Sequence, residues 1–168
     1  MYKSLSIAAL VGAVSLAAIP AAAQAALGPD AAACEAGSGK SAFLVNVSGF
    51  KAQTGRVRVQ VYGSDPSEFL AKGAKLRRID LPVTATRMPV CIVVPSAGTY
   101  AIAVRHDVKG NGSDWNDGGG FSNNPKLSLT NLKPSHAKAA VSIGRGVKPV
   151  DVVLQYRQGL SIGPIKRG

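Results

Sequence analysis

Residues 99–125 read TYAIAVRHDVKGNGSDWNDGGGFSNNP and change character at His106-Asp107. Up to Arg105 the chain alternates, with Tyr100, Ile102 and Val104 on one side and Ala101, Ala103 and Arg105 on the other. A period of two marks a strand, because successive side chains point to opposite faces of a sheet. The small residues of the second face leave room for something to pack closely. From Asp107 to Pro125 the same stretch becomes a Gly/Asn/Asp loop that holds the only tryptophan of the chain, Trp115.

The alternation recurs on either side. Val57, Val59 and Val61 are separated by Arg58 and Gln60, and Val150, Val152, Leu154 and Tyr156 follow the same rule. Ala42 to Val47, Lys75 to Val83, the apolar run Met88 to Val94 and His136 to Ile143 complete the expected strands. About seven short strands separated by turn residues predict an all-β chain folded as a single β-sandwich. One short helix is expected after the second strand. Asp65 can cap it, Pro66 suits its first position, Glu68 can reach back, and Gly73 stops it. Lys126 to Pro134 reads as a loop or short strand docked through Leu127, Leu129 and Leu132.

The ends read differently. Lys3, the apolar run Leu5 to Ile19, Pro20 and the small residues after it form a secretory signal peptide, residues 1–25, with cleavage after Ala25 or, as the close alternative, after Ala23. Lipidation at Cys34 is disfavoured, because a lipidated cysteine should follow the apolar run directly and Cys34 lies beyond Pro29 and Asp30. Residues 26–41 read as a linker, 42–156 as the sandwich and 157–168 as a mobile basic tail. No later run is long enough to span a bilayer, so a periplasmic or secreted location is expected.

Two cysteines, Cys34 and Cys91, survive cleavage. In an oxidising compartment the pair reads as a disulfide; the competing reading is a buried free thiol at Cys91. Two cysteines do not supply a four-ligand structural zinc site. The net charge of +11, falling to +10 when Lys3 leaves with the leader, implies attraction to anionic surfaces, with anionic envelope components or an envelope protein as candidate partners; the competing reading is an ordinary solvated basic surface, since the basic residues are scattered. Basic and aromatic residues do not interleave as a nucleic-acid stacking platform requires, so no specific nucleic-acid binding is expected.

Three pieces carry a family resemblance: Gly55-Arg56-Val57-Arg58-Val59 with Phe69-Leu70; Gly98 to Asp107 leading to Gly110-Asn111-Gly112; and Gly120-Phe121-Ser122-Asn123-Asn124. Together they resemble the uncharacterised bacterial family called domain of unknown function 2141. The resemblance covers roughly Ala42 to Tyr156. It implies an exported transthyretin-like or immunoglobulin-like sandwich, and it implies no activity. The family's loop resembles a calcium loop, but here Lys109 stands where a ligand is expected.

Three chemistries can be placed on the loop. A calcium-type site would use Asp107, Asn111, Asp114 and Asp117, since hard cations want several oxygen ligands. The competing reading is that these residues support turns through their own backbone. A metal-dependent hydrolase would centre on His106 and Asp107, but neighbours on a strand face opposite ways, and there is no zinc or triad spacing and no nucleophile elbow. A ligand or partner could contact Trp115, Phe121, Asn123 and Asn124. The alternative is that Phe121 plugs the sandwich while the two asparagines tie down the loop. The leading expectation is a non-enzymatic, envelope-associated binding or accessory module.

Overall fold

A computed structural model describes residues 24–165 of the chain. Residues 1–23 of the expected leader lie outside the described residues. The strands are β1 (Ala42–Ser48), β2 (Arg56–Tyr62), β3 (Arg77–Pro82), β4 (Arg87–Val93), β5 (Gly98–Asp107), β6 (Gly118–Phe121), β7 (Ala140–Ile143), β8 (Val147–Val153), β9 (Gln155–Gln158) and β10 (Ser161–Gly163). They form two sheets, a small one in the order β4-β1-β8 and a large one in the order β10-β9-β6-β5-β2-β3. β7 pairs with the first half of β5, while β6 takes the second half. The pairing is antiparallel except between β1 and β8.

The two sheets face each other as a sandwich. Val57, Val59 and Val61 from β2, Ile102 and Val104 from β5, and Val45, Val47, Val90 and Ile92 from the small sheet fill the interior. Those of β2 and β5 are the positions that the alternation predicts to share one face. The second face of β5 is buried too. Ala101 and Ala103 lie in a separate cluster on the outside of the large sheet, with Tyr62, Phe121, Leu127 and Ala139. The small side chains of that face admit these neighbours, as their size suggests.

The stretch from Val147 to Gln158 serves both sheets. Its inward residues Val150, Val152, Leu154 and Tyr156 are all buried. The chain crosses from the small sheet to the large one at Leu154, whose amide donates to the Ser48 carbonyl at 3.0 Å. The alternation reads as one strand, but the crossing divides it into β8 and β9.

Several further expectations change. No helix forms after β2. The Asp65 carboxylate caps the Ser67 amide at 2.8 Å, but Leu70 takes a φ of +62°, which breaks helical continuation, and the segment stays a series of turns. The α-helix of the described residues is α1, His136–Ala139, where a strand was expected to begin. Residues 157–163, read as a mobile tail, instead form most of the β9–β10 hairpin. Gly118–Phe121, read as loop, is the strand β6.

The segment before β1 belongs to the domain. Leu27 bridges in parallel to Val90, donating to the Pro89 carbonyl at 2.7 Å and accepting from the Cys91 amide at 3.0 Å. Asp30 accepts the Val93 amide at 3.0 Å and the Arg77 guanidinium through Nε at 2.6 Å. A disulfide joins Cys34, at the end of the 3-10 turn Ala31–Cys34, to Cys91 in β4. This arm therefore covers an edge that β4 would otherwise leave open to pairing with another chain.

Candidate functional site

The loop that follows β5 is organised around its own carboxylates. Asp107 accepts the amides of Gly110 at 2.8 Å and Gly112 at 2.9 Å, with Arg105 at 3.4 Å. Burial pushes its carboxyl up, but the Gly112 and Gly110 amides, the Arg105 charge and the Asn111 amide outweigh burial and hold it below the usual range. Asp117 accepts the amides of Val108 at 3.2 Å and Asp114 at 3.0 Å. Arg105 Nε lies 3.3 Å from Asp117 but makes no hydrogen bond. Asp114 holds Lys109 at 2.6 Å and the Asn116 amide at 2.8 Å. The hydrogen bond to Lys109 is the largest influence lowering the Asp114 carboxyl.

These contacts set the four residues of the calcium-type reading in different roles. Three carboxylates accept backbone amides and cationic side chains, and Asn111 is exposed. Among the described residues, no group of three or more His, Cys, Asp or Glu side chains is placed to hold a metal ion. Lys109 supplies a positive charge within the acidic loop.

His106 and Asp107 separate as strand geometry requires. His106 is fully buried in the sandwich, between Phe50 at 5.2 Å and Tyr156 at 6.0 Å between ring centroids. Its Nε2 faces the Thr54 carbonyl at 2.8 Å and must donate. Its Nδ1 lies 2.7 Å from the Tyr156 hydroxyl, which also accepts the Lys51 amide at 3.1 Å. Donation from Nε2 leaves Nδ1 as the acceptor for the Tyr156 proton, so every polar atom in the chain of contacts is paired. Burial pushes the Tyr156 phenol up to about 12. His136, the other histidine, lies far off on α1, bonded to the Gly63 carbonyl at 2.9 Å.

Phe121, Asn123 and Asn124 hold elements together. Phe121 is buried and packs edge-on against Phe69 at 6.0 Å. Asn123 donates to the Ala140 carbonyl at 2.8 Å. Asn124 clasps β8, donating to the Asp151 carbonyl at 2.9 Å and accepting the Val153 amide at 2.7 Å. Both asparagines adopt left-handed backbone, at φ +62° and +48°, a conformation asparagine tolerates better than most residues. Ser122, not singled out in the sequence, is fully buried and bonds the Ile102 amide at 3.0 Å and the Ala139 carbonyl. It fills the point at which β5 changes partner from β7 to β6.

Trp115 differs from these residues. It is 73% exposed, with the Arg157 guanidinium 5.2 Å from its ring centroid. It stands on the wall of a groove of about 410 Å³ on the outer face of the large sheet. The floor is Ala103, Gly119, Phe121 and Leu127, and Leu129, Leu132 and Ile162 add apolar walls. Gln155 sits at the base, where its side chain accepts the Leu127 amide at 3.1 Å and donates to the Pro125 carbonyl at 2.9 Å. Arg105, Lys133 and Arg157 also line the groove. A concave, largely apolar site with a few convergent polar groups is the usual form of a small-ligand site.

Of the sequence-predicted ligand contacts, Trp115 and Phe121 meet in this groove, while Asn123 and Asn124 do not line it. Its other walls were not singled out as ligand contacts. Leu129 and Leu132 were read only as docking residues, and Arg157 and Ile162 were assigned to a tail. Leu129 and Leu132 are exposed apolar residues, a weak signal, and Arg157 and Ile162 join them only once the hairpin is folded back.

The fold defines an all-β sandwich domain whose β5–β6 loop is braced by its own carboxylates. The chain belongs to the family of uncharacterized proteins conserved in bacteria, domain of unknown function 2141, whose description matches residues 45–151. The match contains the three pieces that carried the resemblance. No curated protein matches the chain. No solved structure matches it.

Proposed function

We propose that this protein is an exported, non-enzymatic binding module that works in or near the cell envelope, with the groove beneath Trp115 as its ligand site. The observation that carries this reading is the groove itself: an apolar floor on the outside of the large sheet, bordered by an exposed tryptophan and two arginines. The export half rests on the leader-like residues 1–25 and on the disulfide, which suits an oxidising compartment. Among the described residues no helix is long and apolar enough to cross a membrane. The net charge of +11 supports attraction to anionic envelope components.

The test combines fractionation with spectroscopy. The mature protein, recovered from the periplasm or medium and beginning near Ala26, is titrated with envelope-derived small-molecule fractions, and its amide resonances are followed. Saturable shifts concentrated at Gly119, Phe121 and Leu127, and lost in Trp115→Ala, are the expected result. Saturable shifts elsewhere, or retention of the uncleaved chain in the cytoplasm, would overturn the reading.

A further inference from the structure

We infer that the groove takes a single amphiphilic molecule with an anionic head, of the alkyl carboxylate type, and that Arg157 holds the head. This inference rests on the groove being the ligand site. Its argument is charge complementarity between what the groove offers and what it has already used.

The carboxylates at the groove are committed. Asp114 pairs with Lys109, and Asp117 accepts the Val108 and Asp114 amides beside Arg105. Arg105 is correspondingly held between Asp107 and Asp117. Two lining cations have no carboxylate partner among the described residues. Lys133 is exposed and makes no ion pair, and Arg157 donates only from Nε, to the Gly159 carbonyl at 3.0 Å, while lying over Trp115. The outer edge of the Arg157 guanidinium retains donors that match a carboxylate. The ring beneath orients it at little entropic cost.

The floor favours an apolar ligand body. Gln60, Ser113 and Gln155 also line the groove, but the Gln155 amide is already bonded to Leu127 and Pro125, and Ala103, Phe121, Leu127, Leu129, Leu132 and Ile162 offer a sugar no hydrogen bonds. They suit an alkyl chain, whose transfer from water is favourable in proportion to the apolar area covered. At about 410 Å³ the site lies near the small end of ligand cavities. It is concave, so a molecule enters it; a surface that lies on a bilayer presents its apolar residues outward.

The experiment titrates the mature protein with decanoate, decanol and decyltrimethylammonium below their aggregation limits. Fluorescence of Trp115, the only tryptophan, and the Gly119 and Leu127 amide shifts report binding. Decanoate is expected to saturate, and decanol to bind at least about tenfold more weakly, the equivalent of one charge-assisted hydrogen bond. Arg157→Gln, at an exposed position, should raise the decanoate Kd by a similar factor and leave the decanol Kd unchanged; Lys133→Gln should produce a smaller rise. Equal affinity for decanoate and decanol, or tighter binding of the cation, overturns the head-group assignment. No alkyl binding while another compound shifts the groove overturns the ligand class and leaves the groove reading intact. Binding to phosphatidylglycerol vesicles that decanoate does not compete away assigns the face to a bilayer and overturns the inference.

Discussion

His106 and Tyr156, fifty residues apart in the chain, meet inside the sandwich with Nδ1 2.7 Å from the phenol oxygen. The contact ties the end of β5 to β9, and the Lys51 amide and Thr54 carbonyl extend it to the turn before β2. Tyr156→Phe removes the hydroxyl and leaves a buried imidazole nitrogen and a backbone amide without their partner. The expected cost is about 1–3 kcal/mol, read from urea denaturation. The native protein should also lose stability at alkaline pH. The unfolded phenol ionises near 10.0 and the folded one at about 12. Stability from this group is therefore fully present below pH 10 and is lost as pH rises toward 12. Tyr156→Phe should flatten that decline; an unchanged slope would assign it to other groups.

Asp107 acts as an internal anion for the loop. In Asp107→Asn, one carboxylate oxygen becomes an amide nitrogen that faces a backbone donor or Arg105. A loss of about 1–3 kcal/mol is expected, with faster exchange of the Gly110 and Gly112 amides. The folded carboxyl is held below its ordinary 3.8, so its contribution is present above that value and lost as pH falls through the depressed one. Unaltered exchange at both glycines would show that the loop is held by something else.

Gly118 and Gly120 face the interior beneath the segment that crosses between sheets. A Cβ on Gly118 would lie 2.4 Å from the Tyr156 ring, and one on Gly120 would lie 2.7 Å from Val152. Gly118→Ala should cost about 1–3 kcal/mol through overpacking and displace the Tyr156 ring resonances. A neutral Gly118→Ala would mean that β9 can retreat without cost.

The Cys34–Cys91 disulfide closes a sequence separation of 57 residues. The chain-entropy account predicts a loss of up to roughly 4 kcal/mol in the double serine variant. The Leu27 amide should exchange faster in that variant, since the arm is then held by hydrogen bonds alone. A change in denaturation midpoint without a change in Leu27 exchange would separate the global effect from the arm.

Calcium offers a test of the loop chemistry. Because Asp107, Asp114 and Asp117 already accept amides and cations, millimolar calcium should leave the melting temperature unmoved. A Tm that climbs with calcium concentration would demonstrate a site on the native state.

Much of the framework was legible because period two is written in valines. β2 and β5 follow the alternation directly, and the small second face of β5 announced its outer neighbours. β6 was not legible, since Gly118, Gly119 and Gly120 carry no side chains and so no pattern. Their strand is fixed by what lies above them, Tyr156 and Val152. The turns after β2 misled for the opposite reason: Asp65, Pro66 and Glu68 are good helix-start chemistry, but Leu70 turns left-handed. In the candidate site, Trp115 stood out by its rarity. Arg157 did not, because only the folded hairpin brings it over the indole.

The passage from β8 to β9 at Leu154 has a consequence for cooperativity. A single unbroken stretch supplies an edge to the small sheet and an inner strand to the large one. Melting either sheet pulls the same residues out of the other, so neither layer can open as an independent unit. Exchange of core amides in β1 and in β5 should therefore converge on one free energy, that of global unfolding. Separate values would mean that the crossing behaves as a hinge.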